Sequence, residues 1–287
     1  MTRQQSCRPC PCCRSQVSSP AFVVNTYEML RCDACQTLFV AQLPEQAQLA
    51  AIYLDEGYHQ ITELEAQRLR NEADMRARRL HDLGCRSILE IGCGHGFFLD
   101  AAAELGIEVQ GIDPTPGAQP ARSRGHTVHG CWLEEFRPKA TEFDAVVAWE
   151  VVEHVRDPSD MLQTIRGLLQ PGGVVALSTP SCSGLPARLL GAQFPMICPP
   201  DHLMVCSRRG LTLLLAERGI QAQHWSSFSN LGTPEIERGL RKYLFGSRPW
   251  AKAITPALAP AALLPVRMMD WLGLGTSYEV YGRVHTH

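Results

Sequence analysis

The sequence predicts an α/β protein in which a doubly wound, mostly parallel sheet follows a small cysteine-rich unit. Three observations carry that expectation. Short apolar runs alternate with amphipathic stretches, so that the order strand, helix, strand recurs five times in the larger part of the chain. Ser87 to Gly96 reads Ser-Ile-Leu-Glu-Ile-Gly-Cys-Gly-His-Gly. There Ile88, Leu89 and Ile91 form a short buried parallel strand, the glycines a tight turn, and Phe98 to Leu105 the helix leaving it. Ahead of this, two Cys-x-x-Cys pairs, Cys10 with Cys13 and Cys32 with Cys35, are separated by 18 residues.

At 287 residues the chain can bury one full α/β domain and still carry additions. Hydrophobic residues make up 45% and charged residues 20%, which excludes a disordered chain. A net charge of −2 gives no general attraction to nucleic acid or an anionic membrane. No basic-then-apolar segment marks the N-terminus for export. The longest apolar region, Ala251 to Leu274, is interrupted by Pro256, Pro260 and Pro265 and carries Lys252, Arg267 and Asp270, so no membrane span is expected. Twelve cysteines without an export signal are expected as reduced thiols or metal ligands, which places the protein in the cytoplasm.

Residues 1–42 read as a zinc ribbon. Two knuckles with a hairpin between them, Phe22–Val24 and Met29–Arg31, place four thiolates around a metal that replaces the core so short a segment lacks. Four cysteines leave no open coordination position, so the zinc is structural. The spacing leaves the frame open, because Cys7-x-x-Cys10 is also available and Cys12 lies inside the knuckle. Residues 43–84 are a helical linker: a short helix from Gln46 to Leu54, a loop from Tyr53 to His59, and a long helix from Ile61 to Leu83 stopped by Gly84.

Residues 85–230 hold the cofactor. A dinucleotide fingerprint needs Gly-x-Gly-x-x-Gly, but here Gly92, Gly94 and Gly96 bring the third glycine one residue early. Glu90 at the strand end repels a pyrophosphate and attracts a cationic ligand, such as one with an ammonium and a sulfonium. The second strand, Ile107–Ile112, ends in Asp113, placed to accept hydrogen bonds from two ribose hydroxyls. Val128 lies in the third strand, followed by the loop Gly130–Leu133. The fourth strand, Phe143–Trp149, runs into Glu150. A helix over Met161–Leu169, the turn Gln170–Gly173 and a fifth strand, Val174–Ser178, follow, then a long loop from Ser181 to Pro200 over the substrate side. After a helix over Arg209–Gly219 come a strand at Ile220–Ser226 and a final antiparallel strand at Tyr278–Val284, at or near the sheet edge. Residues 231–287 thus complete the catalytic domain with an apolar insertion, 231–275, read as a packed flap or the surface of a homodimer.

The glycine turn with its preceding Glu90 resembles the first motif of the class I S-adenosylmethionine-dependent methyltransferases. Phe143-Asp-x-Val, Glu153-His154-Val155, Asp157-Pro158 and Leu169-Gln-Pro-Gly-Gly resemble the small-molecule members of the ubiquinone-biosynthesis type. Cys10-Pro-x-Cys13 followed by Arg-Ser, and Cys32-x-x-Cys35 ahead of Leu38-Phe39-Val40, resemble zinc-ribbon-bearing relatives of the deoxysugar C-methyltransferases. The resemblance implies a seven-stranded Rossmann-like sheet, S-adenosylmethionine as cofactor, and structural zinc on Cys10, Cys13, Cys32 and Cys35. It implies cofactor contacts from Glu90, Gly92, Cys93, Gly94, Gly96, Asp113, Pro114, Trp132, Trp149 and Glu150, with the loop at Trp132 against the adenine and the tyrosine-rich segment 53–59 as a cover.

In the zinc-ribbon-bearing relatives an acidic residue and a histidine, the histidine in the active site, precede a serine that starts the next helix; Asp201-His202 and Ser207 fit that pattern, although a proline replaces the tyrosine usual before the acidic residue, a departure from the sugar enzymes. Methyl transfer from a sulfonium needs an aligned nucleophile, excluded water and a base when the acceptor is a hydroxyl or carbon acid. His202, oriented by Asp201 or a neighbour, is the first choice of base, with His154 at the start of a helix beside it. Glu150 and Glu153 are alternatives, and His95 faces the cofactor's amino-acid end. The implied substrate is a small molecule taking O- or C-methylation, free or held on a carrier. Trp149-Glu-Val-Val lacks the Asn/Asp-Pro-Pro-aromatic string of enzymes that methylate base amino groups. A ribosomal-RNA methyltransferase gripping RNA with its ribbon needs clustered cations there, and only Arg3, Arg8, Arg14 and Arg31 are present. A non-catalytic binding module needs a damaged cofactor turn.

Overall fold

The computed structural model describes residues 8–137, 143–229, 236, 237, 241, 245, 248 and 250–285. The N-terminal unit is a hairpin, β1 (Ser18–Val24) against β2 (Tyr27–Cys32), with β3 (Leu38–Val40) antiparallel on β2. Helix α1 (Gln46–Tyr53) follows. Where a loop is expected, Glu56–His59 wind into a 3-10 turn, because Asp55 accepts hydrogen bonds from the amides of Gly57 and Tyr58. Helix α2 (Glu63–Asp82) starts on a reciprocal cap between Thr62 and Glu65 and buries Ala66, Ala73, Ala77 and Leu80. Gly84, at φ +86°, ends it.

The cofactor half runs β4 (Ser87–Ile91), α3 (Phe97–Glu104), β5 (Glu108–Ile112), α4 (Gln119–Ser123), β6 (Val128–His129), β7 (Phe143–Trp149), α5 (Pro158–Leu168) and β8 (Leu169–Pro180). Then come α6 (Leu185–Leu190), β9 (Met204–Val205), α7 (Arg208–Glu217), β10 (Ile220–Phe228), α8 (Ala251–Trp271) and β11 (Ser277–Val284). The sheet order is β10-β11-β8-β7-β4-β5-β6, with β11 antiparallel to both neighbours and the other pairings parallel. This is the expected seven-stranded, mostly parallel sheet. The last strand, β11, is one position inside the edge, which β10 forms.

Three local expectations need correction. Gln170–Gly173 does not precede the fifth strand but falls within β8: Leu169 pairs with Phe143 and Val174 with Ala145, so four residues stand opposite Asp144, with Gly172 at φ +78°. The loop 181–200 contains α6 and a 3-10 turn at Gly191–Gln193. His154 does not begin a helix; it sits in a turn, and α5 starts at Pro158 after Asp157, whose side chain accepts from the amides of Ser159 and Asp160. Within the insertion, residues 251–271 are helical despite their three prolines, and residues 230–235, 238–240, 242–244, 246, 247 and 249 lie outside the described residues. Among the described residues no helix is long and apolar enough to cross a membrane.

Two cores flank the sheet. Ala77, Leu80, Phe98 and Ala102 of α2 and α3 pack on Ile88, Ala145, Val147 and Tyr281. On the other face Leu162, Ile165, Leu211 and Leu214 pack on Leu89, Val146 and Leu177, and this core runs on into Cys10, Leu30 and Phe39 of the ribbon. The ribbon is thus built into the larger unit: β9 adds a fourth strand to its sheet, with Leu38 opposite Val205.

Candidate cofactor and acceptor site

Parallel strands end where their helices begin, so β4, β5 and β7 deliver the polar residues at their carboxyl ends to one crevice. Gly92, Gly94 and Gly96 all have positive φ, and a Cβ at Gly94 would meet nothing within 4 Å, so the turn is open on its ligand side. At Gly96 a Cβ would lie 2.5 Å from that of Ala121, which brings α3 and α4 together. Asp113 receives the Gly94 amide at 2.8 Å on Oδ2, and the Thr115 amide and hydroxyl at 2.8 and 2.6 Å on Oδ1. Oδ1 is thus filled by two donors, while Oδ2 keeps a lone pair for a further donor. Cys93 turns its thiol inward against Gly111 and Leu99, so it has only backbone to offer a ligand.

Glu90 is buried and its Oε2 has no hydrogen-bond partner among the described residues; burial holds its carboxyl well above the usual range, against the pull of Arg76. Glu150, at φ +54°, is likewise raised by burial and leaves Oε1 without a partner. A side chain in the left-handed region costs energy and clusters at functional sites. Two orphaned carboxylate oxygens at adjoining strand ends, beside an open glycine turn, suit a cofactor carrying an ammonium and a sulfonium. Pro114 follows Asp113 and is half-buried, while Trp132 is 39% exposed in the loop after β6. Trp149 packs on the α2 side, edge-on to Phe98, with the Arg76 guanidinium 4.4 Å over its ring. His95 stacks on Phe97, its ring 5.8 Å away.

Arg76 is the residue sequence reasoning misses. It is buried, ion-paired to Glu279 at 2.7 Å and to Glu72 at 3.5 Å. The signal is positional: Arg76 falls on the stripe of Ala73, Ala77 and Leu80, where a cation is expected only with buried partners.

The candidate acceptor side is a cluster of His154, Asp201 and His202. Asp201 does not orient His202; its Oδ1 lies 3.1 Å from His154 Nδ1, because the loop after β8 folds back over the turn after β7. His202 is oriented instead by Nδ1–H donating to the Met196 carbonyl at 2.7 Å, which leaves Nε2 with its lone pair. The two imidazoles meet edge to face at 4.7 Å. Burial lowers His154, but the hydrogen bond it donates to Asp201 and the charges of Glu153 and Asp201 overcome it and carry the ring up to about 9. Burial and the neighbouring His154 cation push His202 down to about 4. Glu153 is raised by burial to about 8, and Thr179 donates to its Oε2 at 3.1 Å. Tyr58 donates to Asp201 Oδ1 at 2.8 Å and Tyr53 to the Asp201 carbonyl at 3.1 Å, so the tyrosine-rich segment lies on this cluster.

In the ribbon, the Sγ atoms of Cys10, Cys13, Cys32 and Cys35 all lie within 4.8 Å of one another. Cys10 and Cys35 are 3.6 Å apart, Cys13 and Cys32 3.5 Å. A tetrahedral zinc with bonds of about 2.3 Å has sulfur–sulfur edges of about 3.8 Å, so the four thiols fit one. Cys12, 3.7 Å from Cys206, is not one of these four thiols; Cys7 lies outside the described residues.

The family description "Methyltransferase domain" matches residues 53–224, more than half of the chain. The ubiquinone biosynthesis O-methyltransferase of Nitrobacter winogradskyi is 34% identical over 131 residues, covering 42% of this chain and 50% of that protein. The Haemophilus ducreyi enzyme of the same name is 37% identical over 137 residues, covering 44% and 56%. The chain spans about half the length of these curated relatives. Among solved structures, Burkholderia thailandensis 1,6-didemethyltoxoflavin-N1-methyltransferase, with S-adenosylhomocysteine bound, is 17% identical with a TM-score of 0.53, covering 93% of this chain and 100% of that one. The (4+2)-cyclase SpnF is 19% identical with a TM-score of 0.51, covering 76% and 82%; at these identities both show the shared fold alone. With its sheet order and acidic strand end before the glycine turn, the chain belongs to the methyltransferase domain family, as a class I S-adenosylmethionine-dependent member.

Proposed function

We propose that this protein methylates a hydroxyl or carbon acid of a small molecule, free or carrier-bound, with S-adenosylmethionine as donor. The observation that carries the reading is the open glycine turn flanked by Glu90, Glu150 and Asp113, with a pair of histidines, His154 in the turn after β7 and His202 in the loop folded over it. When bound, S-adenosylmethionine supplies an activated methyl group whose leaving group needs no acid. Asp113 holds the ribose, the amides of the turn and Pro114 line the nucleoside, Trp132 lies at the adenine, and Glu90 and Glu150 face the cationic end.

His202 takes the acceptor's proton at Nε2, since its Nδ1–H is committed to Met196. His154, kept cationic by Asp201, holds a developing oxyanion rather than serving as the base. Tyr53 and Tyr58 close over the cluster and exclude water. The ribbon's cations favour this reading over RNA binding: Arg14 is paired with Asp157, and Arg8 donates to the Arg156 carbonyl. Arg3 lies outside the described residues. The four-cysteine cluster holds structural zinc. A reducing, cytoplasmic setting suits the eleven described cysteines, all of them free thiols. Exposed Leu264, Met268 and Trp271 on α8 offer the surface for a homodimer.

Calorimetric titration with S-adenosylmethionine tests the core of the proposal. Saturable binding by the wild type and a loss of at least tenfold in Asp113→Ala, on the order of the 1.5–3 kcal/mol of a charge-assisted hydrogen bond, are expected. A folded wild type that binds none of it overturns the reading.

A further inference from the structure

The edge strand β10 and its neighbour β11 face α2 across a cavity of about 540 Å³, within the size range of small-molecule sites. None of His154, Asp201, His202 or the glycine turn lines it. Arg76 forms its inner wall, with its guanidinium over Trp149 and its charge spent on Glu279 and Glu72. Glu72 is also paired with Arg68 at 2.7 Å, so both carboxylates of the lining are already neutralised.

One cation is left over. Arg79 lines the cavity and has no ion pair among the described residues; its guanidinium rests 4.6 Å over the Tyr281 ring, and its buried Nε has no hydrogen-bond partner. Around it stand rings: His224 packs 6.1 Å from Tyr281, and Phe228 lines the same wall two turns of the pleat along β10. His224, beside Arg79, is held below its ordinary range by burial and by that cation.

We infer that this groove is a second ligand site, which takes a small aromatic monocarboxylate. The ring lies against Tyr281 and Phe228, and the carboxylate meets Arg79. One uncompensated cation matches one negative charge, whereas a phosphate monoester dianion would leave an excess in a wall that already holds Glu72 and Glu279. The inference does not rest on methyl transfer, since no cofactor or acceptor residue lines the groove.

The test is calorimetry on the full chain with benzoate, benzyl alcohol and phenyl phosphate as probes. Benzoate should bind at least about tenfold more tightly than benzyl alcohol, the scale of one charge-assisted hydrogen bond. Arg79→Gln should erase that preference and Arg79→Lys should keep it, while His202→Ala leaves benzoate binding unchanged. Ser226→Trp, which fills the groove from the edge strand, should abolish binding even if Arg79→Gln does not fold. Equal binding of benzoate and benzyl alcohol, tighter binding of phenyl phosphate, a preference that survives in folded Arg79→Gln, or loss of benzoate binding in His202→Ala overturns the inference.

Discussion

Replacing Asp201 by asparagine keeps the shape of the loop and removes one charge, so it isolates what holds His154 cationic. His154 is 19% exposed and Asp201 26%, a pair sheltered enough for its Coulomb energy to survive screening. The rise of the imidazole from its ordinary 6.5 to about 9 corresponds to roughly 3 kcal/mol at about 1.4 kcal/mol per pH unit. Asp201 shares that effect with Glu153, so the variant should lower the His154 midpoint by at least about one unit, on the order of 1.4 kcal/mol. Because the folded value lies above the unfolded one, the pair's stabilisation is complete below pH 6.5 and disappears as pH rises through about 9. Titration of the His154 ring by NMR, together with thermal unfolding between pH 6 and 10, measures both. The wild type should lose stability across that interval and Asp201→Asn should lose less. A wild-type midpoint near 6.5, or one that Asp201→Asn leaves in place, refutes the assignment of His154 as a cation and restores it as a candidate base.

Gly96→Ala forces a side chain into φ +77° and sets its Cβ 2.5 Å from that of Ala121, and strain with overpacking should cost about 2–4 kcal/mol. Unfolding temperature and S-adenosylmethionine affinity should both fall, and a variant matching the wild type in both would show that the turn tolerates the side chain. Fresh protein should carry about one zinc per chain on its four thiolates, which a chelator removes together with several kcal/mol of stability. Metal analysis of the wild type and of Cys35→Ser checks this, and less than about half an equivalent in the wild type refutes the site.

What the sequence makes legible is what is local or strongly periodic. Glu90 to Gly96 is one contiguous strand and turn, Asp113 ends the next strand, and the two Cys-x-x-Cys pairs announce their own geometry, so each can be found without knowing the fold. The acceptor cluster joins residues 47 apart, and nothing near Asp201 says that its carboxylate turns to His154 rather than to the adjacent His202. Arg76 and Glu279 are 203 residues apart and meet only when β11 inserts beside β8. That β8 already begins at Leu169 is not legible, because the Pro-Gly-Gly string after it reads as a turn ahead of the strand. The helix over 251–271 runs against the propensity of its three prolines, and nothing in the structure explains why.

The cysteine-rich unit and the His154–Asp201–His202 cluster share one loop, which ties the proposed metal site to the proposed chemistry without making it catalytic. Residues 199–207 are held from the ribbon side by Val40 N–H on the Leu203 carbonyl at 3.0 Å, by the pairing of Phe39 with Met204, and by the Ser207 hydroxyl donating to the Cys35 carbonyl. From the other side Leu203 N–H reaches the Glu153 carbonyl at 2.8 Å and Tyr53 the Asp201 carbonyl. His202 and Asp201 therefore sit on a strap stretched between the four-cysteine unit and the turn that carries His154. The glycine turn has no such dependence: Gly92 N–H bonds to Ile112 and Gly94 N–H to Asp113, both within the β4–β5 pair. The four-cysteine unit thus sets where the proposed base stands through the backbone it anchors, and a zinc held there with no open position would act only structurally, while the cofactor turn is shaped by the sheet alone.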